Sequence, residues 1–199
     1  MGINKPMTII LAIVLFIFTL LYITKLQYPH VIRKIGAEIK IDTNMDVNMI
    51  HETLEKYNYD IPADNGRADD KTIYVMSSNL NSSKITVSKY MVKNNHLLSI
   101  SFQKDALIIV SLHSNATIPY TWSYSKETEN IDTLKYIDSM ELTPPVTDKP
   151  EPGVNSNRTN YYFKTVETGS CLLQFHYDRT DQDKYKPDEF YFDLRVQVQ

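Results

Sequence analysis

The chain has 199 residues, 21 of them basic and 24 acidic, with a formal net charge of −3, and 42% of it is apolar. No basic stripe runs along it, which argues against a nucleic-acid partner. Its single cysteine, Cys171, excludes an intrachain disulfide, so a folded domain here must rely on its apolar core, which roughly 100 residues can supply.

Pro6 to Thr24 carries no charge, with Lys5 before it and Lys25 after it. At about 1.5 Å per residue this run matches the ~30 Å of a bilayer core. A water-soluble helix would show one polar face, and this run shows none. Tyr22 and Tyr28 sit where an interfacial belt is expected. The competing reading is a cleaved signal peptide, whose apolar region is about 7–15 residues long and ends in small residues. This run is longer and ends Leu21-Tyr22-Ile23-Thr24-Lys25. An uncleaved anchor over residues 1–25 is therefore the expectation, with the lipid bilayer as partner for residues 6–24. Lys25, Arg33 and Lys34 follow the run and oppose an exported domain on the positive-inside count. The short, domainless leader favours the amino terminus inside. The expected location is then the plasma membrane, crossed once, with the C-terminal part extracytoplasmic.

Residues 26–84 read as a juxtamembrane segment or small subdomain. Ile39 and Ile41 alternate with charges, as in a short strand, and Val47, Ile50, Leu54 and Tyr57 share one face of a short helix. Asn65-Gly66 is a turn pair, and Thr72 to Met76 is a strand. From about residue 85 the period becomes two. Leu98, Ile100 and Phe102 alternate with polar residues; Leu107 to Leu112 is continuous, as in a strand covered on both faces. Tyr120, Trp122 and Tyr124 alternate, as do Leu173, Phe175 and Tyr177, and the series Phe190, Phe192, Leu194, Val196, Val198 ends the chain. The proline-rich stretch from Thr143 to Pro152 is unsuited to an inner strand and reads as a long connection. Residues 85–199 are thus expected to form an all-β, immunoglobulin-like antiparallel β sandwich, preceded by one N-terminal transmembrane helix.

After the strand ending at Leu112 comes Asn115-Ala116-Thr117-Ile118-Pro119-Tyr120-Thr121-Trp122. This resembles the N-P-T-T-G-Y-x-W loop of chagasin-type inhibitors of cysteine peptidases, with Asn115, Thr117, Tyr120 and Trp122 in frame. Gly169 to Arg179 is similar to that family's strand running from a glycine into Y-x-R-P-W, and Phe190 to Val198 to its closing strand. The departures lie in the loops. Ala116, Ile118 and Pro119 stand for proline, threonine and glycine; Gly153-Val154-Asn155-Ser156-Asn157 keeps one glycine of a G-x-G-G loop; Thr180 and Asp181 replace the proline and tryptophan after Arg179. The resemblance implies an inhibitor of papain-like cysteine peptidases with contact loops at Asn115–Pro119, Gly153–Asn157 and Arg179–Asp181. The lost tryptophan motivates the alternative, a cell-surface β-sandwich binding or assembly module without inhibitory activity, since an aromatic anchor often carries about 2 kcal/mol or more at an interface.

Other features read more plainly. Trp122 and Tyr120 are expected in the core, and Cys171, in phase with Leu173 and Phe175, as a buried structural cysteine. His176 is expected in solvent. Asp178, Asp181, Asp183, Asp188 and Glu189 lack the spacing of a calcium loop. His51-Glu52-Thr53-Leu54-Glu55 lacks the second histidine of a zinc motif. Asn81, Asn115 and Asn157 each begin a glycosylation triplet. No phosphate loop, dinucleotide fingerprint or G-x-S-x-G is present, so neither enzyme activity, cofactor nor metal is expected.

Overall fold

The period-two segments become strands in the computed structural model, which describes residues 38–40, 46–55, 70–79, 82, 84–114, 119–128, 132–142, 157–180 and 190–199. Among the described residues the strands are β1 (Glu38–Lys40), β2 (Asp70–Ser78), β3 (Lys84–Lys93), β4 (His96–Phe102), β5 (Leu107–His113), β6 (Tyr120–Thr128), β7 (Leu134–Leu142), β8 (Arg158–Thr165), β9 (Gly169–Arg179) and β10 (Phe190–Val198), with one helix, α1 (Val47–Glu55). They form a six-stranded sheet in the order β1-β3-β2-β5-β8-β7 and a four-stranded sheet in the order β4-β10-β9-β6.

The alternating residues of both sheets meet in one core. Ile73, Val75, Ile108, Val110, Tyr161 and Phe163 from the large sheet pack against Trp122, Leu173, Phe175, Phe192, Leu194 and Val196 from the small one. Phe175 and Phe192 stack at 5.1 Å between centroids. A second cluster covers the outer face of the large sheet, where Ile50 and Leu54 of α1 pack with Tyr74, Met76, Ile109 and Tyr162. This explains the unbroken apolar run of β5: Ile108 and Val110 face the sandwich, and Ile109 faces the helix side. Asp46 begins α1 as its cap, its carboxylate accepting from the Asn48 N–H at 2.9 Å. His51 ties the helix down, its ring nitrogens 2.7 Å from the Tyr162 hydroxyl and 3.0 Å from the Glu141 carbonyl. Gly169 opens β9 at φ 144°, and a Cβ there would lie 2.7 Å from Thr133 Cγ2, so a glycine is required.

Four expectations need correction or extension. The sandwich is mixed rather than purely antiparallel, because β4 runs parallel to β10. The chain leaves β3 through Asn94-Asn95 and passes to the other sheet instead of forming a hairpin. Asn95, at φ 57°, donates to the Tyr191 carbonyl at 2.8 Å, and Asn94 accepts from the Tyr191 N–H at 2.9 Å. Nor does the sandwich begin at residue 85: β2 lies inside the large sheet between β3 and β5, with Val75 opposite Ser88 on one side and Val110 on the other. A period count along the chain registers β2 as a strand but carries no information about its neighbours. β7 is a further strand, whose mostly exposed residues show no apolar alternation. The anchor expected over residues 6–24 lies outside the described residues; among those described, no helix is long and apolar enough to cross a membrane.

The position of β2 predicts the behaviour of fragments. Without residues 1–84, β5 has an open edge and its neighbours lose the packing of Ile73, Tyr74, Val75 and Met76, all 3% exposed or less. A fragment of residues 85–199 is expected to show no cooperative thermal unfolding by circular dichroism, where the full chain shows a sharp transition.

Candidate functional site

The loops singled out by the sequence lie mostly outside the described residues: Asn115, Ala116, Thr117, Ile118, Gly153, Val154, Asn155, Ser156 and Asp181 all do. Their stems are described, and two main-chain hydrogen bonds join them. The Ser114 N–H, where β5 runs out, donates to the Asn157 carbonyl at 2.8 Å, where the long connection returns. The Thr180 N–H, after β9, donates to the Pro119 carbonyl at 2.8 Å, where the chain rejoins β6. The strand registers agree: His113 lies opposite Arg158, Tyr120 opposite Arg179, and Phe190 opposite Tyr177. The stems of the three segments therefore share one end of the sandwich.

An aromatic base supports this end. Trp122 is buried, as expected, and its indole N–H donates to the His113 carbonyl at 2.7 Å, from the small sheet to the large. Its own carbonyl accepts from the Tyr161 hydroxyl at 2.8 Å. Tyr177 packs on Trp122 at 4.8 Å and on Tyr120 at 5.2 Å between ring centroids. Tyr120 is only half-buried, at the rim of the core where burial had been expected. Arg179 is exposed, with its guanidinium 5.9 Å from the centroid of Tyr120. Pro119 and Thr180 are exposed as well.

Two buried cations, Arg158 and Lys71, complete the base, and neither stands in a motif that marks it in the sequence. Arg158 is fully buried; its Nε donates to Ser111 Oγ at 2.7 Å, its Nη2 to the Ser111 carbonyl, and its guanidinium lies 4.5 Å from the Tyr74 centroid. It stands in the middle of the Asn157-Arg158-Thr159 triplet, and the Asn157 amide itself donates to the Glu141 carboxylate at 2.9 Å. Lys71 is 4% exposed and faces Tyr177 and Phe190. The available signal was its phase, since Lys71 alternates with Ile73 and Val75. Cys171 is buried as expected, and burial pushes its thiol up. His176 is half-buried rather than fully in solvent, with its ring stacked on Tyr191 at 6.0 Å. Among the described residues no group of three or more His, Cys, Asp or Glu is placed to hold a metal.

Residues 101–196, just under half of the chain, match the family described as Chagasin family peptidase inhibitor I42. Over this segment the chain is similar to the chagasin-family inhibitors. Among solved structures, the crystal structure of the cysteine protease inhibitor EhICP2 from Entamoeba histolytica is similar at 18% identity and TM-score 0.40, over 53% of this chain and 88% of that one. The solution structure of amebosin is similar at 25% identity and TM-score 0.34, over 53% of this chain and 90% of that one. No curated protein matches the sequence. The match to the chagasin family runs from the end of β4 to β10 and leaves out β1, α1, β2 and β3.

The base of the loop end has a pH dependence. Burial, with smaller contributions from Tyr136 and Tyr124, pushes the Tyr161 phenol up to about 12, and burial moves Tyr162 upward too. An unfolded chain loses the phenol proton near pH 10. The folded state keeps it, because burial penalises the charged phenolate. This stabilisation is fully present below pH 10 and is lost as pH rises to 12. For Tyr161 the loss is on the order of 2–3 kcal/mol. Urea unfolding followed from pH 9 to 12 is expected to show the decline, with a shallower slope in Tyr161→Phe.

Proposed function

We propose that this chain is a membrane-tethered inhibitor that blocks papain-like cysteine peptidases by inserting loops of its chagasin-family domain into the active-site cleft. The observation that carries the reading is the pair of main-chain hydrogen bonds, Ser114 to Asn157 and Thr180 to Pro119, that gathers the stems of three loops at one end. A cysteine peptidase attacks an extended peptide with a thiolate. A loop that occupies the cleft but holds its carbonyl carbons out of line with that thiolate binds without being cut. Loops held on fixed stems lose little conformational entropy on binding. Here the stems stand on Trp122, Tyr161 and Tyr177, all buried. In this reading Asn115, Thr117 and Arg179 make the principal contacts, Ile118 supplies apolar area, and Pro119 stiffens the first loop. Asp181, in place of an aromatic anchor, makes the third loop a polar contact that selects among peptidases.

The test is a titration of the full-length chain in mild detergent against a panel of papain-like peptidases. Inhibition at or below micromolar concentration is expected for at least one. Thr117→Arg is expected to abolish that inhibition while leaving the melting temperature unchanged. A panel untouched by the wild-type chain rejects the inhibitor reading and leaves a surface binding or assembly module.

The tether belongs to the same proposal. The uncharged run from Pro6 to Thr24 supports a single crossing of the plasma membrane with the domain extracytoplasmic. The chain is expected to stay in the membrane pellet through alkaline carbonate extraction, and protease added to intact cells is expected to digest the domain. Release into the carbonate supernatant would reject the tether.

A further inference from the structure

The family match begins at residue 101, yet the chain upstream of it places a turn at the loop end. Ile73 of β2 lies opposite Leu112 of β5, so β2 starts at the end where β5 gives way to the first loop. β3 runs antiparallel to β2, with Lys93 opposite Asp70, and finishes at that same end. β4 runs parallel to β10, with His96 opposite Phe192, and so starts there too. Asn94 and Asn95, which join β3 to β4, therefore cross from the large sheet to the small one beside the stems of the three loops.

The crossing is pinned. The Asn95 N–H donates to the Tyr191 carbonyl at 2.8 Å, and Asn94 Oδ1 accepts from the Tyr191 N–H at 2.9 Å. The turn thus holds both main-chain groups of a residue that follows the third loop by way of Phe190. Asn95 takes φ 57°, a left-handed backbone that asparagine tolerates better than most residues. On either side Val92 and Leu98 are buried in the core, while Lys93, Asn94 and Asn95 are all exposed. Exposed polar side chains on a backbone fixed in this way lose little freedom when a partner meets them. In the small sheet β4 is separated from β9 by β10 alone. At about 4.8 Å per strand spacing, the turn stands roughly 10 Å from the strand that carries Arg179. A standard interface covers about 800 Å² on each partner, which is wide enough to take in both.

We propose that the turn Lys93–His96 is a fourth contact segment of the inhibitor, built from outside the family-matched region. It meets the peptidase surface beside the cleft, next to the third loop, and offers Lys93 to an acidic side chain there. The inference rests on the inhibitor reading above. The test uses the full-length chain and a papain-like peptidase that the wild type inhibits. Rim charges act chiefly on association, so Lys93→Glu is expected to raise the inhibition constant about tenfold at low salt and less at high salt. Lys135→Glu makes the same change of charge at the far end of the sandwich, where Leu134 lies opposite Thr165. It is expected to stay within about twofold of wild type, because the charge is more than a screening length away. Amide hydrogen exchange with the peptidase added is expected to slow in residues 92–97 and not in the turn of residues 103–105 at the far end. Asn95→Gly, which keeps the left-handed backbone and removes the side chain, supplies a second variant should Lys93→Glu fail to fold, with an expected rise of about threefold. Wild-type inhibition by these variants, with exchange in residues 92–97 unchanged by the peptidase, would overturn the proposal and leave the inhibitor reading standing. If the wild type inhibits no peptidase, the inhibitor reading falls and this inference falls with it.

Discussion

The loop end depends on Trp122 reaching from one sheet to the other. Apolar packing between sheets is strong but non-directional, and on its own it leaves the two sheets free to settle at slightly different offsets. The indole N–H on the His113 carbonyl and the Tyr161 hydroxyl on the Trp122 carbonyl remove that freedom at the end where the loops emerge. Each also satisfies a buried polar group whose desolvation costs about 1–3 kcal/mol if left unpaired. Because His113 ends β5, this lock sits at the root of the first loop rather than deep in the core. The two main-chain bonds that join the loop stems extend it to the second and third.

The segment that matches the chagasin family does not by itself make up the packed sheet. β5 is buried on both faces and paired along both edges, and one of those edges belongs to β2. An open edge on so apolar a strand is a template for aggregation. Here β2, β3 and β1 continue the sheet, and α1 covers its outer face through Ile50 and Leu54. His51 adds a polar tie at the same place, reaching Tyr162 and the Glu141 carbonyl, so the helix is held by directional bonds as well as by burial. The upstream region is thus structural support for the domain, and through Lys71 it also reaches the loop end.

Two buried cations at one end of a small sandwich are costly unless their surroundings compensate. Arg158 has oxygens of Ser111 and the Thr72 carbonyl as acceptors, with the face of Tyr74 beside it. Lys71 has two aromatic faces. Ser111, Thr72 and Tyr74 lie far from Arg158 in the chain, and Tyr177 and Phe190 lie far from Lys71, so these contacts exist only in the assembled sandwich.

The amino-acid sequence by itself determined the elements whose signal is local. Period-two alternation announced β4, β6, β9 and β10, the unbroken run of Leu107 to Leu112 announced a strand covered twice, and the spacing of Val47, Ile50 and Leu54 announced α1. It also carried the resemblance, because Trp122 and the Gly169–Arg179 strand are framework residues. β7 was not legible, since its residues are mostly exposed and bear no apolar phase. Which strands are neighbours was decided only by the tertiary structure, because pairing depends on edges brought together across the chain. The parallel pairing of β4 with β10, the insertion of β2 beside β5, the shared end of the three loop stems and the inward turn of Lys71 and Arg158 all follow from that assembly. Alternation states which way a side chain points, while the sheet it faces is set by partners tens of residues away.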